Sequence, residues 1–275
     1  MPYLERPDAR VYYEVQGSGP ALIFAHGLGG NHLSWWQQVP AFRDRYTCVT
    51  FAHRGFWPSE ESSGGPGPAA FVDDLAALIE HLGFEDVRLV AQSMGGWTCL
   101  GYPLREPSRV QALVLADTTG SLALPESELQ AFAEADAASA ALFARGIHPA
   151  AGERMAREQP TLHFLYTEIN ALSVGLDKET LRATLMRLRE TPPEAGKDLA
   201  VPVLCIAGDE DVVIPPRIVE WAATLFPDAR FERVPRAGHS VYFERPDVFN
   251  RLVGDFLTAT ESGRGPARGG VAADG

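Results

Sequence analysis

A chain of 275 residues, 45% hydrophobic and 22% charged, is long enough for one large α/β domain with room for an insertion. Its 36 acidic against 24 basic residues give a net charge of −12, and a surface of that sign repels phosphate backbones and anionic lipid, which excludes nucleic acid and membrane surfaces as natural partners. No apolar run approaches the ~20 residues a membrane-spanning helix needs.

In chain order, the N-terminal "MPYLERPDAR" has prolines and charges but no apolar stretch of the kind a signal peptide carries, so a cytoplasmic location is expected. "VYYEV" (11–15) alternates and reads as an antiparallel strand. The runs 21–27, 47–53, 87–93, 110–117, 201–209 and 229–235 follow, several nearly continuous in Val, Ile and Leu, as strands covered on both faces are. Between them, 68–82 shows helical spacing with a proline near its start and Gly83 just past its end. Residues 94–106, 215–226 and 246–257 also read as helices, with Pro103 kinking or ending the first of these. Trp35 and Trp36 open an earlier helix, with Trp36 placed at the core position. Strands alternating with helices predict a doubly wound, mostly parallel sheet. Cys48, Cys99 and Cys205 fall inside apolar patterns without C-x-x-C spacing and read as buried free thiols.

One interval breaks the rhythm. From Ser121 to Asp198 only helical patterns occur, at 126–145, 161–173 and 177–190. The expected organisation is therefore a core of 1–120 and 199–258, an inserted all-helical cap over 121–198, and a disordered Gly- and Ala-rich tail over 259–275.

In such sheets ligands bind outside the carboxyl ends of the strands. Those ends carry His26-Gly27, His53-Arg54, Ser93, Asp117, Asp209 with Asp211, and then His239 in "RAGHS". "VAQSMGGW" (90–97) sets Ser93 where a strand turns into a helix, the context in which a G-x-S-x-G serine is a nucleophile, although Ala91 replaces the first glycine. Ser93 needs a base to take its proton, and His239 is the candidate. The N–H of Met94, at the helix start, points to one oxyanion donor.

"HGLGG", "AQSMGG", "GDEDVVIP" and "AGHSVYFERPDVFN", in this order, make the chain resemble the α/β-hydrolase superfamily, in its serine-nucleophile, lid-bearing esterase and lactonase branch. The resemblance implies a catalytic triad of Ser93, Asp211 and His239, with Asp117 as the alternative acid. It also implies an oxyanion hole of the Leu28 and Met94 N–H groups, with His26 bracing the loop. The superfamily's usual D-x-R-G-x-G-x-S reads "AHRGFWPS" here, so Ala52 leaves Arg54 without its local carboxylate. Trp57 either lines a pocket or packs under the cap. Phe164 and Leu165, within "TLHFLYTEINAL" (161–172), and Tyr242 are the other candidate substrate contacts, while His81, His148 and His163 read as surface or cap residues. A serine nucleophile sets the chain apart from the dehalogenases and epoxide hydrolases of this fold, which use aspartate. Ser240, where meta-cleavage C–C hydrolases carry Trp, weighs against that group. The implied reaction is hydrolysis of a small, largely apolar carboxylic ester or lactone through an acyl-enzyme. C–C bond hydrolysis and enol-lactonase activity are the alternatives, followed by cofactor-free perhydrolase or haloperoxidase chemistry or a ligand receptor on the same scaffold. No G-x-G-x-x-G, P-loop or metal-ligand spacing occurs, so neither cofactor nor metal is expected.

Overall fold

The computed structural model describes residues 2–263. Nine strands form the sheet: β1 (Tyr3–Glu5), β2 (Ala9–Gln16), β3 (Ala21–Ala25), β4 (Thr47–Phe51), β5 (Glu60–Glu61), β6 (Val87–Gln92), β7 (Val110–Ala116), β8 (Val203–Gly208) and β9 (Ala229–Val234). Their order is β1-β2-β4-β3-β6-β7-β8-β9, with β5 against β2. Pairing is parallel from β4 through β9, and β1, β2 and β5 form an antiparallel edge. This is the doubly wound sheet the strand–helix alternation predicted. The central strands β3, β6 and β8 are buried along their whole length, which explains why they read as unbroken apolar runs rather than alternating ones.

The helices are α1 (Val39–Phe42), α2 (Phe71–His81), α3 (Gly95–Arg105), α4 (Glu126–Ala144), α5 (Gly152–Glu158), α6 (Pro160–Ala171), α7 (Lys178–Arg187), α8 (Pro216–Ala223), α9 (Val241–Glu244) and α10 (Pro246–Glu261). Core packing splits across the sheet. One face buries Ile23, Leu89 and Leu113 with α2, α3 and α8, and the other buries Phe24, Val90 and Ile206 with α9 and α10. Helices α4 to α7 lie between β7 and β8 with no strand among them. Among the described residues no helix is long and apolar enough to cross a membrane.

Several boundaries differ from the sequence reading. The stretch at Trp35–Trp36 is a 3-10 turn over His32–Trp35, and Trp35, not Trp36, is the core residue: Trp35 is fully buried while Trp36 is 44% exposed. It is the Trp35 ring that packs on Phe24 and Tyr242. Helix α3 runs two residues past Pro103 before ending at Arg105. Helix α10 extends to Glu261, four residues beyond its expected end, so the start of the expected tail is helical, and residues 264–275 lie outside the described residues. The cysteines are free and buried.

Candidate active site

The loops after β3, β6, β7 and β8 and the turn after β9 meet at the carboxyl edge of the sheet. Ser93 follows β6 directly. Its φ of 49° lies in the left-handed region, unusual for a side chain with a Cβ, and its N–H is tied to the Ala116 carbonyl at 3.0 Å. The kink points the hydroxyl away from the sheet as α3 begins. Two glycines permit the crowding. A Cβ on Gly95 would stand 2.2 Å from the Ala25 carbonyl oxygen, and one on Gly27 would stand 2.1 Å from Gln92 Oε1. Ala91, where the strict motif has glycine, is a buried strand residue paired with Ala25, and its methyl is accommodated.

His239 is buried between two partners. Its Nε2 lies 2.8 Å from Ser93 Oγ, and its Nδ1 lies 2.8 Å from Asp211 Oδ2. The other Asp211 oxygen, Oδ1, accepts the backbone N–H groups of Val213 (2.7 Å) and Ile214 (2.9 Å), which locks the carboxylate's orientation. Asp117 does not reach the histidine. Its oxygens accept the N–H groups of Gly208 (3.0 Å) and Val241 (3.3 Å), and burial, together with the nearby Asp211 charge, pushes its carboxyl well above the usual range. Asp209 pairs with Arg233 at the surface. The Ser–His–Asp contact thus falls on Asp211, and Asp117 braces two backbone segments around it.

The loop holding His239 has a second support that sequence reasoning missed. The Glu244 carboxylate accepts Gly238 N–H at 3.1 and 3.0 Å and Ser240 N–H at 3.3 Å, gripping the backbone on either side of the histidine. Burial raises this carboxyl to about 7. Gln92 adds a bond from its side-chain amide to the His239 carbonyl at 2.7 Å.

Leu28 and Met94 flank the serine. Among the described residues, neither backbone N–H finds an acceptor. The loop carrying Leu28 is braced from below: His26 Nδ1 donates to the Gly27 carbonyl (2.8 Å), and its Nε2 accepts from His53 N–H (3.0 Å) and faces His53 Nδ1 (3.0 Å). Burial drives His26 down to about 3, so both rings are neutral struts. Arg54, expected to lack a local carboxylate, finds distant ones. It bonds Asp74 at 2.6 and 2.7 Å, Glu61 at 3.2 Å and Asp8 at 3.1 Å.

The four candidate substrate contacts fall in different places. Tyr242 is fully buried, packed on Trp35 at 4.6 Å within the core, because α9 turns it back toward the sheet. Phe164 is 64% exposed, on the outer side of α6. Leu165 is half-buried but packs on the core cluster holding Trp35 and Tyr242, not on the one beside Ser93. Trp57 is 43% exposed and rests on His32, while its backbone N–H donates to Ser173 Oγ at 3.1 Å. The apolar cluster that includes Met94 instead holds Ala52, Phe56, Phe71 and Trp97, and is covered by Leu181 and Leu185 of α7. The i, i+4 spacing of those leucines was visible, but in a short, highly charged helix it gave no reason to prefer this face.

A cleft of about 530 Å³ lies at Gln16–Ser18 and Arg43–Asp44, on the amino-terminal edge of the sheet, away from this chemistry. A cavity of about 330 Å³ lies beside the His239 loop, between Leu142, Gly152, Val212 and Gly238. Among the described residues, no three His, Cys, Asp or Glu side chains converge as metal ligands would.

Residues 20–187 match the family model of the alpha/beta hydrolase fold. A Mycobacterium tuberculosis protein carrying the provisional name non-heme bromoperoxidase BpoC is 30% identical over 267 residues, spanning 91% of this chain and 98% of that one. Its crystal structure superposes with a TM-score of 0.70 at 28% identity, covering 91% and 96% of the two chains. An Azorhizobium caulinodans protein, provisionally named carbamate hydrolase RutD, is 26% identical over 92% of this chain and 97% of its own. A thermophilic esterase from Thermogutta terrifontis shares the fold with a TM-score of 0.74, at 24% identity over 92% and 94% of the chains.

Proposed function

Because this chain belongs to the alpha/beta hydrolase fold family, we propose that it is a serine hydrolase acting on a small carboxylic ester or lactone, with Ser93 as nucleophile, His239 as general base and acid, and Asp211 as the orienting carboxylate. One observation carries this reading. The His239 ring bridges Ser93 Oγ and Asp211 Oδ2 at 2.8 Å on each side, and the Leu28 and Met94 N–H groups beside the serine are unspent.

The chemistry follows from those atoms. Ser93 Oγ attacks the carbonyl carbon while its proton passes to His239 Nε2. The imidazolium is stabilised by Asp211, and the tetrahedral oxyanion accepts from the N–H groups of Leu28 and Met94. The intermediate collapses as the C–O bond breaks, and the alkoxide leaves with the proton from Nε2. Water then repeats the sequence on the acyl-enzyme, releasing the acid and restoring the serine. Residues 121–198, with α4 to α7, act as a cap whose Leu181 and Leu185 cover the apolar side of the site. An ester is favoured over an amide because alkoxide departs more easily.

Steady turnover of p-nitrophenyl acetate or butyrate, lost in Ser93→Ala, together with one fluorophosphonate bound per chain at Ser93, is the expected result. A single stoichiometric burst with retained product would support a receptor instead. A meta-cleavage dienone turned over about tenfold better in kcat/KM than the best ester or lactone would replace the ester reading with C–C hydrolysis.

A further inference from the structure

Helix α7 lies across the site on one stripe. Lys178, Leu181, Leu185 and, just past the helix end, Arg189 are spaced i, i+3, i+7 and i+11, which aligns them on one helical face. The two leucines pack on Met94 and Trp97. The stripe therefore has an apolar centre in the cluster that holds Met94, with Lys178 at its start and Arg189 just past its end.

Neither cation has a carboxylate partner among the described residues. Lys178 Nζ donates to the Asn170 carbonyl at 2.7 Å and to Asn170 Oδ1 at 2.5 Å, two neutral acceptors that leave its third N–H free. The adjacent Asp177 is turned away, capping α7 through Thr180 N–H (3.0 Å) and Thr180 Oγ1 (2.7 Å). Arg189 lies over Trp97, 4.7 Å from the ring centroid, with Nη1 spent on Thr119 Oγ1 (2.6 Å) and the Leu122 carbonyl (3.1 Å). It braces the cap against the core. In a chain of charge −12, where the buried Arg54 gathers three carboxylates, a half-buried lysine left with none stands out.

Two further donors stand at the oxyanion loop. Tyr166 Oη would stand 2.6 Å from a Cβ on Gly29, in the loop that carries the Leu28 N–H, and His148 Cε1 would stand 3.4 Å from it. His148 Nδ1 accepts the Ala150 N–H at 3.2 Å, which puts the ring proton on Nε2 as a further donor. Burial first, then the charge of Lys178, pushes His148 down to about 4, so the ring is neutral. Burial likewise pulls Lys178 down to about 8. An imidazole N–H and a phenol thus stand at the oxyanion loop, and Lys178 is held through Asn170 at the end of α6, the helix that carries the phenol.

We infer that the substrate of this site carries a carboxylate besides its scissile ester, and that Lys178 is the counter-ion that binds it. The inference rests on the hydrolase reading for the scissile bond. The ligand class is a short-chain hemiester or lactone acid, with its apolar methylenes against Leu181 and Leu185 and its carboxylate at the Lys178 end of the stripe. Lys178 is a specificity-determining residue in this scheme and takes no part in proton transfer.

The test compares monoethyl adipate with ethyl hexanoate, an uncharged ester of matched length, by product chromatography at pH 7. The hemiester should be preferred in kcat/KM by about tenfold or more, mainly through a lower KM. The preference should fade as pH rises through about 8, where Lys178 loses its proton. Lys178→Met should abolish the preference and Lys178→Arg should restore most of it. Adipate should also raise the Tm of the wild type but not that of Lys178→Met, a readout that needs no turnover. If Lys178→Met fails to fold, Lys178→Gln provides the same comparison. A hemiester no better than ethyl hexanoate would overturn the inference, as would a preference that survives Lys178→Met or vanishes only in Arg189→Met. Should neither ester be cleaved while adipate still binds through Lys178, the hydrolase reading falls and the anion site stands.

Discussion

Replacing Asp211 by asparagine changes one atom, yet the surrounding bonds dictate which way the amide must face. Oδ1 accepts two backbone N–H groups, from Val213 at 2.7 Å and Ile214 at 2.9 Å, so the amide oxygen is held there. The NH₂ is then forced toward His239 Nδ1, where Asp211 Oδ2 now sits at 2.8 Å. A donor in that position requires Nδ1 to become the acceptor, which moves the ring proton to Nε2 and leaves nothing to accept the Ser93 proton. Wrong-tautomer substitutions of this kind in serine hydrolases cost about 10³–10⁴ in kcat, or roughly 4–5.5 kcal/mol of transition-state stabilisation. Asp117→Asn perturbs a different set of bonds, to Gly208 and Val241 N–H, and leaves the His239–Asp211 contact in place. Its effect should fall on stability, within about 2 kcal/mol, with activity kept to within about tenfold. Initial rates on p-nitrophenyl butyrate, alongside urea unfolding of each variant, measure both quantities. Near-wild-type turnover by folded Asp211→Asn, or an equal loss in Asp117→Asn, would refute the assignment of the acid.

Ser93→Ala and His239→Ala should each lose several orders of magnitude in kcat with unchanged circular dichroism, because members of a triad act as a unit, and each should lose fluorophosphonate labelling. Arg54→Met leaves the buried Asp74 carboxylate with Arg6 as its remaining partner and frees Glu61 and Asp8, so urea unfolding should show a loss of about 2–3 kcal/mol; a loss below about 1 kcal/mol would mean the cluster is solvated. Leu181→Ala and Leu185→Ala should shift preference among acyl-chain lengths and cost about 2 kcal/mol or more each, whereas the exposed Phe164→Ala should leave chain-length preference unchanged. A chain-length profile that responds to Phe164 and ignores both leucines would place the acyl group elsewhere.

What the sequence determined by itself was the sheet and the ends of its strands. Runs such as 21–25 and 87–92 are buried on both faces, so their apolar pattern is local and needs no knowledge of a partner. Because Ser93, Asp211 and His239 each sit within a few residues of such a strand end, their proximity followed once the strands were placed in parallel. What only the tertiary structure decided were matters of facing and pairing. Periodicity says which side of α6 or α7 is apolar but not which surface that side meets, and so Phe164 and Leu165 were favoured over Leu181 and Leu185. Arg54 takes its partners from Asp8 and Asp74, far along the chain, where local reading saw only the missing acid at Ala52. Glu244 reaches back to the backbone around His239 only because α9 doubles the chain on itself. Lys178 is one cation among 24 in the sequence. Its lack of a counter-ion is a property of everything packed around it, and no stretch of residues can state that in advance.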